Sequence, residues 1–326
     1  MPESKHVMVT GGAGFIGGHL VAALVRRGDH VVVLDDLSTG LRQNLDGLPD
    51  GSVQFIEGTV HDRVEDASIP PCSEIYHLAA SVGVKLVVER PVQCIENNVH
   101  ETSLVLRAAA RHGCPVFIAS TSEVYGKSEA VPFHEDDDVV YGATTEPRWS
   151  YACSKAVDEH LALGWHAAQG LPVTIGRFFN TVGPGQQGRW GMVLPRFVRA
   201  AMLGSPLRVH GDGTQERCFI DVRDVAPLLP EILATPEAIG KVINIGHDQS
   251  ISIDALARRV VAVLDSDSDI VHVDVADDYG RPIEDLHRRV PDLSRLRSLC
   301  NFTPAYGLDR TILDTAAQMA RAGVGS

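Results

Sequence analysis

No stretch of the chain approaches the roughly 20 consecutive apolar residues that a membrane-spanning helix needs. The opening MPESKHVMVTGG has no basic segment leading into an apolar one, so a cytoplasmic protein with no membrane partner is expected. Cysteine is sparse: Cys72, Cys94, Cys114, Cys153, Cys218 and Cys300 lie far apart, with no C-x-x-C pair. That excludes a disulfide scaffold, and the six read as reduced, mostly buried small hydrophobes. No set of His, Cys or carboxylates has metal-ligand spacing, so no metal is expected. Positive charge is short as well. With 29 Lys and Arg against 42 Asp and Glu, the formal charge of −13 argues against a nucleic-acid or anionic-membrane partner. A local basic pocket for a small anion remains compatible with it. There is no internal repeat.

What is present is an ordinary globular composition, 44% hydrophobic and 22% charged, over 326 residues, long enough for a large α/β unit with a second lobe. Short β-rich runs at His6–Thr10, His30–Asp35, Val53–Glu57, Glu74–Leu78, Val116–Ser120 and Pro172–Arg177 alternate with helical patterns, the first being Phe15–Arg27. Such alternation predicts a doubly wound, mostly parallel sheet. After Arg177 the pattern changes to Gly- and Pro-containing loops around a helix-like LPRFVRAAML, and VINI at 242–245 reads as one more buried strand. The expected division is a dinucleotide-type domain of 1–177 plus about 217–246, with a smaller discontinuous lobe of about 178–216 plus 247–326.

Gly11, Gly14 and Gly17 in TGGAGFIGG follow the first strand and open the first helix. Side chains here would keep a pyrophosphate from the amides and the positive end of that helix. Asp35 ends the second strand about twenty residues on, where a carboxylate can accept from an adenosine ribose. Asp35 and its neighbour Asp36 would repel a 2′-phosphate, so NAD is expected rather than NADP, with nearby Arg42 as a softening influence. Tyr151 and Lys155 in YACSK share a helix face, so the ammonium can make the phenol a better base, and Thr121 at a strand end can hydrogen-bond the same substrate hydroxyl. A surface tyrosine with a solvated lysine is the competing reading of that pair.

Together with LDDLSTG, YHLAA, TSEVYG, RFFNTVGP, GDGTQERCFIDVRDV and RRVPDLSRL, these motifs resemble the extended short-chain dehydrogenase/reductase family, specifically its nucleotide-sugar epimerases, dehydratases and decarboxylases. The resemblance covers nearly the whole chain. It implies a Rossmann fold, tightly held NAD, a UDP- or dTDP-sugar and hydride transfer at C4 of the sugar. For the cofactor it implies contacts from Phe15 and Ile16, from Ser38, Thr39 and Gly40, from Leu78, Ala79 and Ala80, and from Asn98 and Ser120. Thr59 and Val60 would meet the adenine, although the family more often has an acidic residue at the position of Thr59. For the substrate it implies Asn180, Gln215 and a diphosphate clamp of Arg217 and Arg281, the latter in a GRPIED loop that departs from the family's usual Gly-Asp. Val193, Phe197, Leu207 and Val209 would line the uracil and ribose pocket, although an apolar stripe at such spacing is more often core. His77 is expected to pack beneath the cofactor, and Lys85 and Glu135–Asp138 to be solvated loop charges.

Ser122-Glu123 bears on the reaction. Family dehydratases carry Asp-Glu there, so dehydration is disfavoured, while Glu123 with EPRWSYACSK resembles the glucuronate-handling members. The expected activity is UDP-glucuronate 4-epimerisation through a transient 4-keto sugar, with Tyr151 as base and catalytic roles for Lys155, Thr121, Ser122 and Glu123, in a setting such as antibiotic biosynthesis. UDP-glucuronate decarboxylation is the second reading and UDP-glucose 4-epimerisation the third. Arg189 and Gln187 are candidates to grip the uronate carboxylate, or are loop residues. A non-catalytic NAD-binding regulator would typically lose Tyr151 or Lys155. A homodimer through helices at about 98–112 and 151–168 is expected.

Overall fold

The structure, a computed structural model, describes residues 5–65, 70–81, 83, 87, 89–188, 191–280, 284 and 286–323. Its centre is a seven-stranded sheet of β1 (His6–Thr10), β2 (His30–Asp35), β3 (Val53–Glu57), β4 (Glu74–His77), β5 (Val116–Thr121), β6 (Val173–Phe178) and a last strand, Lys241–Ile245. From one edge the order is the last strand, β6, β5, β4, β1, β2, β3, and every pairing is parallel. Strands buried on both faces need apolar side chains at every position, which is why HVVVLD reads as a run rather than an alternation.

Successive side chains leave a strand on opposite faces. Val7 and Val9 of β1 therefore join Val31 and Val33 against the helices Phe15–Arg27 and Val222–Ala234, while Met8 and Leu34 join Ile75 and Ile118 against Pro91–His112 and Arg148–Gln169. The chain starts at β1 and winds outward both ways, so the crossover direction reverses between β1 and β4. A crevice opens there at the carboxyl ends of the strands.

Two helices start before the sequence pattern suggests. Pro91 occupies the first turn of one and Pro147 is the N-cap of the other, positions where a missing N–H costs nothing because the first turn has no intrahelical acceptor for it. A third apolar cluster is built from the helices Val193–Met202, Ile253–Val263 and Leu308–Arg321 and the parallel strands Leu207–His210 and Ile270–Val273. Among the described residues, no helix is long and apolar enough to cross a membrane.

Candidate active site

A cavity of about 680 Å³ follows the carboxyl ends of the strands from the glycine-rich turn to Thr121 and Tyr151, a size within the ~300–1,000 Å³ of small-molecule and cofactor sites. Its floor is set by close backbone approach. Gly11 has φ +69°, and a Cβ there would stand 2.7 Å from the amide nitrogen of Ala79; a Cβ at Gly17 would overlap the carbonyl oxygen of Gly11. The first helix thus begins tight against the turn, with Gly14 as an N-cap that offers no side chain to its free amides. Those amides are the natural partners of a phosphate.

Asp35 is buried at the end of β2. Its two oxygens accept from Ala13 N at 2.9 Å and Leu37 N at 2.8 Å, so it braces the turn, and each still has a lone pair for a ribose hydroxyl. Burial raises its pKa. Of the residues expected to hold a cofactor, all but Gly40 and Asn98 line the cavity. Gly40 lies behind it, where a Cβ would sit 2.8 Å from Asp35 Oδ1. Asn98 acts as a brace: its Oδ1 accepts from Ser81 N at 2.9 Å and its Nδ2 donates to Ser154 Oγ at 3.1 Å, tying the loop after β4 to the helix Arg148–Gln169.

Thr59 lines the cavity, but its hydroxyl is engaged as a helix cap, donating to Asp62 Oδ2 at 2.8 Å and accepting from Asp62 N at 3.1 Å. The carboxyl beside it is Glu101, whose pKa burial and the nearby Asp36 push up to about 7.

Tyr151 and Lys155 enter the cavity from the start of helix Arg148–Gln169. A brace under the helix fixes them: Glu159 accepts from Arg177 Nε at 2.9 Å and Nη2 at 2.7 Å and from Ser120 Oγ at 2.5 Å, joining the helix to β5 and β6. The electrostatics differ from the sequence reading. Burial holds Tyr151 far above the usual tyrosine range, Glu123 and Asp158 add to this, and the Thr121 hydroxyl opposes it. Lys155 donates to Asp158 Oδ2 at 2.7 Å, both side chains being buried, so a carboxylate partner offsets the charge expected to activate the tyrosine.

Residues 7–246 match the family described as NAD dependent epimerase/dehydratase. The chain belongs to that family. Within it, the chain is 40% identical over 319 residues to the UDP-N-acetyl-alpha-D-glucosaminuronate decarboxylase of Bacillus cytotoxicus, covering 95% of this chain and 96% of that one. It is similar to the solved UDP-N-acetylglucosamine 4-epimerase from Methanobrevibacter ruminantium, with TM-score 0.88, 28% identity and 98% and 99% of the two chains covered. A further solved structure, in complex with UDP-glucuronic acid and NAD, has TM-score 0.82 and 29% identity over 97% of this chain and 99% of that one. The cofactor of this family member is NAD. The glycine cradle, which any Cβ would fill, and the carboxylate at Asp35 fit its pyrophosphate and ribose.

Other side chains fall away from the family enzyme's cavity. Ser122 is buried behind β5 and does not line it. Glu123 is gripped from two sides, by Arg148 Nη2 at 3.3 Å and Arg289 Nη1 at 2.7 Å. His77 is enclosed between Thr10 (2.7 Å) and Thr102 (3.2 Å), and burial pushes its pKa down to about 3, so it packs as a neutral ring.

Of the expected substrate residues, Asn180 lines the cavity and donates to the Cys218 carbonyl at 3.0 Å. Phe197, Leu207 and Val209 are instead buried in the third apolar cluster, with Val193 packed against it, because the amphipathic helix Val193–Met202 and the alternating strand Leu207–His210 both turn their apolar side chains into that cluster. Gln215 donates to the His210 carbonyl at 3.4 Å and does not line the cavity. Arg217 is also outside the lining, its Nη1 donating to the Glu216 carbonyl at 2.8 Å. Gln187 lines the cavity; Arg189, Arg281 and Lys85 lie outside the described residues. The Glu135–Asp138 run is not uniformly solvated, since Glu135 is buried and accepts from Asn244 N at 2.9 Å. Cys153 is exposed and the other five cysteines are buried, all free. Among the described residues no group of His, Cys, Asp and Glu could hold a metal.

Sequence reasoning passed over Arg148, Arg289, Asp158 and Glu101. Arg148 and Asp158 had a signal, at helical spacing from Tyr151 and Lys155. Arg289 lies in the RRVPDLSRL motif, but its pairing with Glu123 had no signal, because the two are 166 residues apart in the chain.

Proposed function

We propose that this enzyme is an NAD-dependent UDP-uronate decarboxylase, taking UDP-glucuronate or its 2-acetamido counterpart. The observation that carries the reading is Glu123 held between Arg148 and Arg289 beside Tyr151. A guanidinium has five N–H donors in a planar fork. Each arginine can therefore keep Glu123 and still present donors to a second carboxylate. The group stands just outside the cavity lining, and the reading places the sugar's carboxylate at the side of the cavity next to Tyr151, facing these two guanidiniums. The names of relatives 40% and 34% identical, a UDP-N-acetyl-glucosaminuronate decarboxylase and a UDP-glucuronic acid decarboxylase of Arabidopsis thaliana, support the same substrate class.

NAD, when bound, supplies the acceptor and donor for the C4 hydride. Tyr151 takes the C4 hydroxyl proton and Thr121 hydrogen-bonds that oxygen. The resulting 4-keto uronate is a β-keto acid: the bond from C5 to the carboxylate breaks, its electron pair passes into a C4–C5 enolate, and carbon dioxide leaves. Tyr151, now protonated, and Thr121 donate to the enolate oxygen, C5 takes a proton from solvent water, and Tyr151 returns its proton to the C4 oxygen as C4 is reduced.

A second reading, 4-epimerisation of the same uronate, is favoured by the overall likeness to the Methanobrevibacter ruminantium 4-epimerase. Incubation with UDP-glucuronate and UDP-N-acetylglucosaminuronate carrying a labelled carboxyl group separates them. Labelled carbon dioxide and a UDP-pentose support decarboxylation; an intact 4-epimer with no released label overturns it.

A further inference from the structure

Lys155 of the YACSK motif does not stand alone beside Tyr151. One helical turn on, Asp158 accepts from its ammonium at 2.7 Å, and the two side chains are 2% and 0% exposed. A carboxylate sealed at that depth costs free energy unless it is paired, so it is held there by a specific arrangement. Thr102, on the neighbouring helix Pro91–His112, lies beside Asp158 and favours its ionised form. The contacts continue from Thr102 to His77 Nε2 at 3.2 Å, from His77 Nδ1 to Thr10 Oγ1 at 2.7 Å, and from Thr10 Oγ1 to the amide of Ala79 at 3.3 Å. A buried polar chain thus runs beneath the cavity floor from the active-site lysine to the residue preceding the glycine turn.

We propose that Asp158 is a positioning residue that anchors the Lys155 ammonium and offsets its charge, so that the lysine does less to ionise Tyr151 than it would unpaired. Of the groups facing this assembly, Glu123 and Asp158 disfavour the Tyr151 phenolate, Cys94 acts in the same sense, and the Thr121 hydroxyl favours it. Burial raises the Asp158 pKa and Glu159 on the same helix adds to this, while the Lys155 ammonium and Thr102 oppose it; His77 stays neutral. The inference rests on Tyr151 as the base and not on which product forms.

The test is a phenolate titration by ultraviolet difference absorption on wild-type protein, Asp158→Asn and Tyr151→Phe, each with and without NAD. Subtracting the Tyr151→Phe curve isolates the tyrosine. The expected result is that Asp158→Asn raises the Tyr151 phenolate fraction about tenfold at any pH below the wild-type midpoint, a one-charge effect at close range. Superimposable titrations would overturn the proposal. Lys155→Met, which removes the charge to be paired, and Lys155→Met/Asp158→Asn provide a second arm in case the single variant does not fold. The Asp158 effect should shrink in that background to the direct influence of its charge on Tyr151, and an unchanged effect there would show that Asp158 does not act through Lys155. Absence of decarboxylation with an intact titration difference would refute the proposed reaction and leave this inference standing.

Discussion

Arg289 Nη1 donates to Glu123 Oε1 at 2.7 Å, joining a strand near the end of the chain to the short turn that follows β5. Both side chains are largely buried, so the pair is shielded from salt and its loss is felt. Arg289→Ala should lower kcat/KM for a UDP-uronate by at least about 100-fold, the size of a lost charge-assisted contact. Turnover of a neutral UDP-sugar, if measurable, should fall much less. Equal losses on both would show that the arginine serves folding and not the carboxylate.

Tyr151→Phe keeps the ring and its packing but removes the proton acceptor. We expect kcat to drop by about 10² to 10⁴, with NAD affinity by titration calorimetry within a factor of a few of wild type. Turnover near the wild-type value would remove Tyr151 from the mechanism.

Gly17→Ala places a methyl group where the Gly11 carbonyl oxygen already lies. The helix must back away from the turn, so NAD binding should weaken beyond detection or the protein should lose about 1–3 kcal/mol of stability in urea. Gly28→Ala is the informative comparison, since no atom stands near a Cβ there and only its φ of +99° is strained.

Glu101 titrates at about 7 in the fold, above the usual carboxyl value of 4.5. The folded chain therefore binds more protons between those two pH values, and stability falls as pH rises through that window. The contribution is on the order of 3 kcal/mol. Glu101→Gln should flatten chemical denaturation midpoints between pH 5 and 7, and a pH dependence identical to wild type would show that another group is responsible.

The helices Pro91–His112 and Arg148–Gln169 pack on each other and leave Val92, Ile95 and Val157 at 66%, 41% and 38% exposure. We expect a second copy of the chain to cover this face. Sedimentation at micromolar concentration should give twice the 35.1 kDa chain mass, whereas a monomer would leave the face without a partner of this kind.

The sheet was legible because its information is local. A strand buried on both faces must be apolar throughout, a Gly-rich turn must precede a helix that starts against it, and a helix repeats every 3.6 residues, so β1–β6, Gly11, Gly14, Gly17, Tyr151 and Lys155 could be placed from adjacent residues alone. The amphipathic stripe Val193, Phe197 was equally visible, but periodicity says only that a face is buried and not what buries it. It went to the third apolar cluster.

What the linear chain by itself determined is the doubly wound fold, the nucleotide cradle and the tyrosine–lysine pair, each written within a few consecutive turns. Only the tertiary structure decided the charge state around that pair: Asp158 on Lys155, Arg148 and Arg289 on Glu123, Glu101 beside Asp36. The physical reason is that the Coulomb energy of a side chain depends on distance through space and on depth below the surface. Composition and spacing carry neither quantity once the partners lie on different elements.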